Sequence, residues 1–480
     1  MEQKLFETGN REEAIKYKFA LKEALIGDSK FYSRVAMVVL PMIVQNTLSN
    51  VVGLLDNIMV GQVGTLAMSS VAIVNQILFI FYLCIWGSLA GAGIYSTQFF
   101  GKGDMEGVRA AIRFKFLTAI TILAIAAVIL SAFGENLISL YISEGTLQAD
   151  RLKTLEYATG YLKIMLIGLI PFSLTQVYAS AMRESGKTTL PMIAGMSAMG
   201  VNFVFNALLI FGLFGFPKLG VYGAAIATVI SRFAELFIVV IGAHRPGSRY
   251  GFFKGLYTHF VIPINLIWPI LSKSLPLLAN EFLWSLSQAM LLQAYSLRGI
   301  AVIAAMNISG TISQIFSEVF LSLGNSTGII AGQELGADRL VNARRTAFRM
   351  AALSVASTVV MGSLLALAAP FIPHAYNTEP EIMKLATRFI WVVALVMPIN
   401  AYANVSYFTL RCGGKTTVTF LFDSCFSWLV PVPCAYILSR FTNMPALTIF
   451  TIVSYLEIIK CIIGFILVRS GVWVRNIVKS

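Results

Sequence analysis

AMRESGKTT at residues 181–189 returns as TLRCGGKTT at 409–417, so that Arg183, Gly186, Lys187, Thr188 and Thr189 recur as Arg411, Gly414, Lys415, Thr416 and Thr417. The pair is one part of a repeat that extends outward in both directions. Leu40 and Pro41 recur as Leu275 and Pro276, and Gly64 as Gly299, at an offset of 235. At the same offset Gly93, Ile94, Gln98, Gly101 and Arg109 recur as Gly328, Ile329, Gln333, Gly336 and Arg344. The offset then falls to 228 because the loop after the ninth apolar stretch is shorter than the one after the third, and Glu235 and Glu457 match at 222, each shortly after a serine. Ordered matches along the whole chain mark an internal duplication.

What is duplicated is a set of apolar stretches. Of 480 residues 57% are hydrophobic and 12% charged, and the mean hydropathy is +0.77, which excludes a water-soluble surface. A hydrocarbon core of about 30 Å needs roughly 20 helical residues. Twelve stretches meet that need: 35–60, 67–93, 114–133, 159–182, 190–214, 220–243, 274–297, 299–325, 346–369, 386–409, 416–438 and 446–469. Six spans per repeat is an even number, so both halves enter the membrane in the same direction. Parallel halves are a transporter arrangement with the substrate site at their interface. The organisation expected is a cytoplasmic segment 1–30, an N-terminal six-helix lobe 31–245, a cytoplasmic linker 246–272 rich in Pro and Gly, a C-terminal six-helix lobe 273–470 and a cytoplasmic tail 471–480.

The net charge of +13 forms no long basic run that would suggest nucleic acid. It is distributed by topology. With the N-terminus inside, 23 of the 36 Lys and Arg fall in cytoplasmic segments, 6 in outer loops and 7 within spans, which places both termini in the cytoplasm. Residues 1–30 hold six bases and six acids, unlike a cleaved signal, so the first span is expected to be retained. In that segment Ile15, Phe19 and Ile26 suit a surface-lying helix, while Ile15, Tyr17, Phe19 and Leu21 alternate equally well. Cys84, Cys412, Cys425, Cys434 and Cys461 lie in or beside apolar stretches without CxxC spacing and read as structural thiols. His244, His259 and His374 are scattered through loops, without metal-ligand spacing.

Ionisable groups within spans cost at least about 2.5–3.5 kcal/mol on insertion scales and need a reason to be there. Asp56 lies on the first span with Gln45, Ser49 and Gly53 at helical spacing, and Asn46, Asn50 and Asn57 form the adjacent strip. A polar sector this wide must face a partner helix or a wet cavity. Asp56 has no base nearby on its own helix, which favours an ion pathway over a carboxylate that only ties helices together. Asn202 and Asn206 are one turn apart on the fifth span and can hold a carboxylate or offer carbonyl oxygens to a cation. Glu281 shares its face with Ser274, Ser285 and Gln288 and is the counterpart by offset of Asn46. A structural role is also open to it, since Lys273 is two turns away. Glu318 and Asp423 are also in or near spans, whereas Glu235 and Glu457 are expected to pair locally with Arg232 and Lys460. Pro41, Pro171, Pro276 and Pro398 interrupt spans near their middles, where they either kink a moving helix or shape packing.

LPMIVQNTLSNVVGLLDNIMVGQVGT at 40–65, NFVFNALLIFG at 202–212, GVYGAAIAT at 220–228 and the repeated GKTT segments resemble the multidrug and toxic compound extrusion (MATE) family from about residue 31 to the end. The resemblance implies an all-α integral membrane fold of twelve transmembrane helices in two parallel six-helix repeats, forming a V-shaped bundle. It also implies export of cationic or amphipathic drugs coupled to entry of H+ or Na+, with no other cofactor. Residue by residue, Asp56 matches the family's first-helix coupling aspartate, and Asn202, Asn206 and Thr228 match positions around it. Some relatives have a second aspartate at Asn206, so Asp56 is left as the single acid of that cluster. Glu281 matches a seventh-helix glutamate of relatives with a second site, but Asn400 stands where those relatives have an aspartate, which leaves that site incomplete.

The expected function is therefore antiport by alternating access in the cell membrane, by a monomer whose partners are small organic cations or amphipathic drugs and the lipid bilayer. A lipid-linked oligosaccharide flippase of the same superfamily is the alternative. It is expected to line its groove with bases for a pyrophosphate, whereas Lys163, Arg232, Lys273, Arg388 and Lys460 form no cluster. An integral membrane enzyme would need a motif such as DDxxD or HExxH, and neither occurs; no catalytic residue is expected.

Overall fold

The computed structural model describes residues 12–13, 20–142, 148–258, 260–376 and 378–479, apart from the side chains of Leu21 and Ile300. After a short helix Leu21–Leu25, twelve long helices follow in order. They are α1 (Ser29–Gly61), α2 (Thr65–Lys102), α3 (Met105–Ser139), α4 (Gln148–Glu184), α5 (Thr189–Phe211), α6 (Val221–His244), α7 (Ile264–Ser296), α8 (Ile300–Gly336), α9 (Leu340–Ala368), α10 (Pro380–Cys412), α11 (Thr416–Phe441) and α12 (Ala446–Arg469). No strand occurs among the described residues. In hydrocarbon each backbone N–H and C=O must be bonded within its own segment, which a helix alone achieves for a single stretch.

Among the described residues, ten of the twelve helices are long and apolar enough to cross a membrane; α7 and α8 are 33 and 37 residues long but more polar. Their polar side chains are housed by protein: Ser274, Asn280 and Ser287 of α7 and Ser309, Ser313 and Ser322 of α8 are buried. Several helices also outrun their apolar stretch, as α2 does in reaching Lys102 and α3 in starting at Met105.

Packing divides the chain into two compact units. One holds Leu40–Gly93 and Met105–Pro269, here the amino-terminal unit. The other, the carboxy-terminal unit, holds Met1–Val39, Ile94–Asp104 and Ile270–Ser480. Within the carboxy-terminal unit the ends of α2 and α8 cross so tightly that a Cβ on Gly101 would stand 1.9 Å from the Gln333 carbonyl oxygen, and one on Gly336 1.9 Å from that of Gln98. The recurrence of Gln98 and Gly101 as Gln333 and Gly336 is thus a mutual backbone contact. The repeat also shows in the turns. Gly186 and Gly414 both adopt left-handed φ, at 80° and 75°, where a Cβ is costly. Gly103 (φ 79°) is matched by Asp338 (φ 61°), a residue type that tolerates this region.

Three sequence expectations change. Residues 246–272 are not all linker, because α7 already begins at Ile264, just after Pro263. The shortened connection is also tied down. Tyr250, Phe252, Phe253 and Leu256 are buried, and Arg113 donates to the carbonyls of Leu256, Gly255 and Val261 at 3.0, 3.2 and 3.1 Å. The prolines do not interrupt their helices: α1, α4 and α10 run through Pro41, Pro171 and Pro398, and α7 through Pro276. The irregular span is α11, where a π-helical turn at Leu421–Cys425 is followed by the non-helical Val430 (φ −121°, ψ −69°) before Pro431. Lastly, His244 is not an isolated loop residue; it ends α6, with Nε2 3.0 Å from the Tyr178 hydroxyl. His259, Ile15, Tyr17 and Phe19 lie outside the described residues.

Candidate cation site

Asp56, Asn202, Asn206 and Thr228 come from three helices of the amino-terminal unit and meet. Helix α1 supplies Asp56, α5 supplies Asn202 and Asn206 from adjacent turns, and α6 supplies Thr228. Asn206 Nδ2 donates to Asp56 Oδ1 at 2.6 Å. Both asparagines are buried, at 5% and 1% exposure.

The amide of Asn202 lies between Asp56 and Thr228 and finds partners in either orientation. With its nitrogen toward the carboxylate it donates to Oδ1 and Oδ2 at 2.8 and 3.1 Å. Turned over, its nitrogen donates to Thr228 Oγ1 at 3.3 Å and its oxygen accepts from Asn206 Nδ2 at 3.1 Å. The first arrangement suits an ionised Asp56, because amide oxygen against carboxylate oxygen is repulsive. The second suits a protonated Asp56, whose O–H can donate to that oxygen, or a cation held between the two oxygens. Asn206 Oδ1 is buried and has no hydrogen-bond partner among the described residues, so a further acceptor stands ready beside the carboxylate.

Asp56, Asn202 and Thr228 border a cavity of about 240 Å³. Its polar lining follows helical spacing: Gln45, Ser49 and Asp56 on α1, Asn202 on α5, and Ser231 and Glu235 on α6. Gly195 of α5 leaves room for Gln45, since a Cβ there would be 2.8 Å from Gln45 Nε2. Among the described residues no Lys, Arg or His lines the cavity. Glu235 belongs here instead of in the local pair expected from sequence. Arg232 turns away to the Tyr82 hydroxyl at 2.5 Å and the Gly168 carbonyl at 3.2 Å, stacking over Tyr82 and Phe172. The sequence signal for Glu235 was its one-turn spacing from Ser231.

In the carboxy-terminal unit the sequence candidates are less connected. Glu281 and Asn400 are half-buried on α7 and α10, and no hydrogen bond joins them. The bonds form around Asp423. Lys460 Nζ is 2.6 Å from its Oδ1 and 3.6 Å from Glu457 Oε2, and Asn280 Nδ2 donates to its Oδ2 at 3.0 Å. Asn280 escaped the sequence reading, although it is the counterpart of Gln45 at the offset of 235. Among the described residues no group of His, Cys, Asp and Glu is placed to hold a metal ion.

The family model MatE matches residues 41–208 and 276–466. "Probable multidrug resistance protein YoeA" of Bacillus subtilis (strain 168) is 24% identical over 424 residues, covering 86% of this chain and 88% of that protein. "Probable multidrug resistance protein NorM" of Thermotoga maritima is 23% identical over 450 residues, covering 92% and 93%. A solved structure of a mutant of the Vibrio cholerae MATE transporter VcmN superimposes with a TM-score of 0.83 at 17% identity, covering 93% of this chain and 98% of that one.

Proposed function

This chain belongs to the MatE family, and on that premise we propose that it is a secondary active antiporter, exporting cationic or amphipathic drugs in exchange for inward-moving H+ or Na+ by alternating access. It is a transporter, not an enzyme. The substrate class follows the names of its relatives, multidrug resistance proteins. The charge asymmetry of the loops supports cytoplasmic termini in the cell membrane.

One observation carries the coupling role: Asp56 is held by asparagine amides in a cavity that no base among the described residues lines. An acid so placed exchanges a small cation without first breaking an ion pair. The ionised form draws the Asn202 nitrogen to the carboxylate. Arrival of H+ or Na+ neutralises the charge and turns the amide toward Thr228, so the contacts of α1 with α5 and α6 change with ion occupancy. Coupling requires that the ion bind the two transport conformations with different free energies. A difference of about 1.4 kcal/mol shifts their populations tenfold. Two of the bases within the spans are engaged, Arg232 with Tyr82 and Lys460 with Asp423, which argues against a flippase groove that holds pyrophosphate.

The test is dye efflux from vesicles under an imposed H+ or Na+ gradient, beside dye binding in detergent, for the parent and for Asp56→Asn. Retained binding with abolished gradient-driven efflux supports the reading; efflux at the parent rate refutes it.

A further inference from the structure

The carboxy-terminal unit contains a second, half-buried carboxylate cluster, built differently from the first. Asp423 sits on the π-helical turn Leu421–Cys425 of α11. Such a turn inserts one extra residue, re-aims the side chains on it and is frequent at functional sites. Asp423 Oδ2 accepts from Asn280 Nδ2 at 3.0 Å. Asn280 is itself oriented by Ser424, whose hydroxyl donates to its backbone and side-chain oxygens at 2.8 Å each, and it reaches the Tyr407 hydroxyl at 3.3 Å. Up to this point the arrangement parallels Asp56, a carboxylate fixed by an asparagine amide.

The difference is the other oxygen. Asp423 Oδ1 faces Lys460 Nζ at 2.6 Å, with Glu457 Oε2 at 3.6 Å on α12. Lys460 is only 8% exposed. An ammonium carries the single positive charge of H+ or Na+ and seeks the same oxygen ligands, but it is tethered to the chain and does not leave. A buried ammonium without a carboxylate is strongly disfavoured, so the pair holds together once formed.

We propose that Lys460 is the resident cation of the carboxy-terminal unit, filling the carboxylate site that a monovalent coupling ion would otherwise take. With that carboxylate already neutralised, ion exchange is left to the Asp56 cluster. This last clause rests on the coupling role proposed above, whereas the filling of the Asp423 site does not.

The experiment counts cations bound by purified protein, using radiosodium in alkaline buffer and proton uptake in sodium-free choline buffer. Lys460→Met keeps the length of the side chain without its charge. The expected result is one more bound Na+ or H+ per protein than in the parent, a gain that Asp423→Asn added to Lys460→Met removes. A lysine with a purely structural role would not change this stoichiometry. A folded Lys460→Met protein with no gain overturns the proposal. Should Lys460→Met not fold, the Asp56→Asn protein decides. If it binds no cation the proposal stands, and if it binds one that Asp423→Asn abolishes, the site was never filled. Failure of the Asp56 reading shows separately, as unchanged gradient-driven efflux in Asp56→Asn, and leaves the expected gain in Lys460→Met intact.

Discussion

Asp56 and Asp423 are both carboxylates at membrane depth, one in each repeat, and each accepts from an asparagine amide on a neighbouring helix. Around Asp56 the remaining partners are neutral, and the acid opens onto a cavity. Around Asp423 the decisive partner is the Lys460 ammonium. The two acids are not positional counterparts, since Leu291 and Gly195 hold the repeat-equivalent places, and one side chain on the last helix separates an acid with neutral partners from an acid paired to an ammonium. The reverse asymmetry occurs elsewhere. Buried Lys115 pairs with Glu184 at 2.5 Å, while the repeat-equivalent positions hold Met350 and Cys412. A buried ion pair and an apolar pair can be of similar stability, so duplicated positions are free to drift between the two.

The largest effect should come from Asp56→Asn. Asparagine preserves shape and hydrogen bonding but cannot carry a proton or neutralise Na+, so gradient-driven dye efflux should fall to background while dye binding persists. Residual coupled efflux would mean that the two clusters are not as distinct as their partners suggest. Next is Lys460→Met in sodium-free buffer. Removing one member of a buried pair typically costs about 3–5 kcal/mol, read as a lowered Tm in detergent, and adding Asp423→Asn should restore most of the loss. No recovery in the double variant would show that the pair is not the source of the loss.

A smaller and symmetrical effect is expected where the repeats touch. Gly101→Ala and Gly336→Ala each drive a Cβ into a backbone carbonyl, and such overpacking costs about 1–3 kcal/mol. The two variants should lower Tm alike, and an unequal response would break the equivalence of this crossing. The smallest effect belongs to Glu281→Gln. Without a hydrogen-bonded partner among the described residues, and with Asn400 where a second acid would be needed, its loss should slow efflux less than about tenfold, under about 1.4 kcal/mol of barrier. Complete loss of efflux in a folded protein would move the working site to the carboxy-terminal unit.

Twelve spans, the parallel repeat and the polar face of α1 were legible because they depend on local composition and on periodicity along one helix. Asp56, Asn202 and Asn206 could be singled out for the same reason: a polar residue at membrane depth is costly wherever its helix sits. The local pair assigned to Glu235 and Arg232 did not form, because sequence spacing cannot register that α2 and α4 bring Tyr82, Phe172 and the Gly168 carbonyl to the guanidinium. Nothing in the spacing along α7 marks Asn280 beside the more conspicuous Glu281, and spacing along α12 offers Lys460 only its neighbour Glu457, three residues away.

What the chain determines alone is therefore where it must be apolar, where it must be helical and which polar groups need an explanation. Which of those groups meet was decided by tertiary structure. A contact such as Lys460 to Asp423 at 2.6 Å joins α12 to a π-turn in α11, and its energy depends on the burial of both charges, which exists only after the helices have packed.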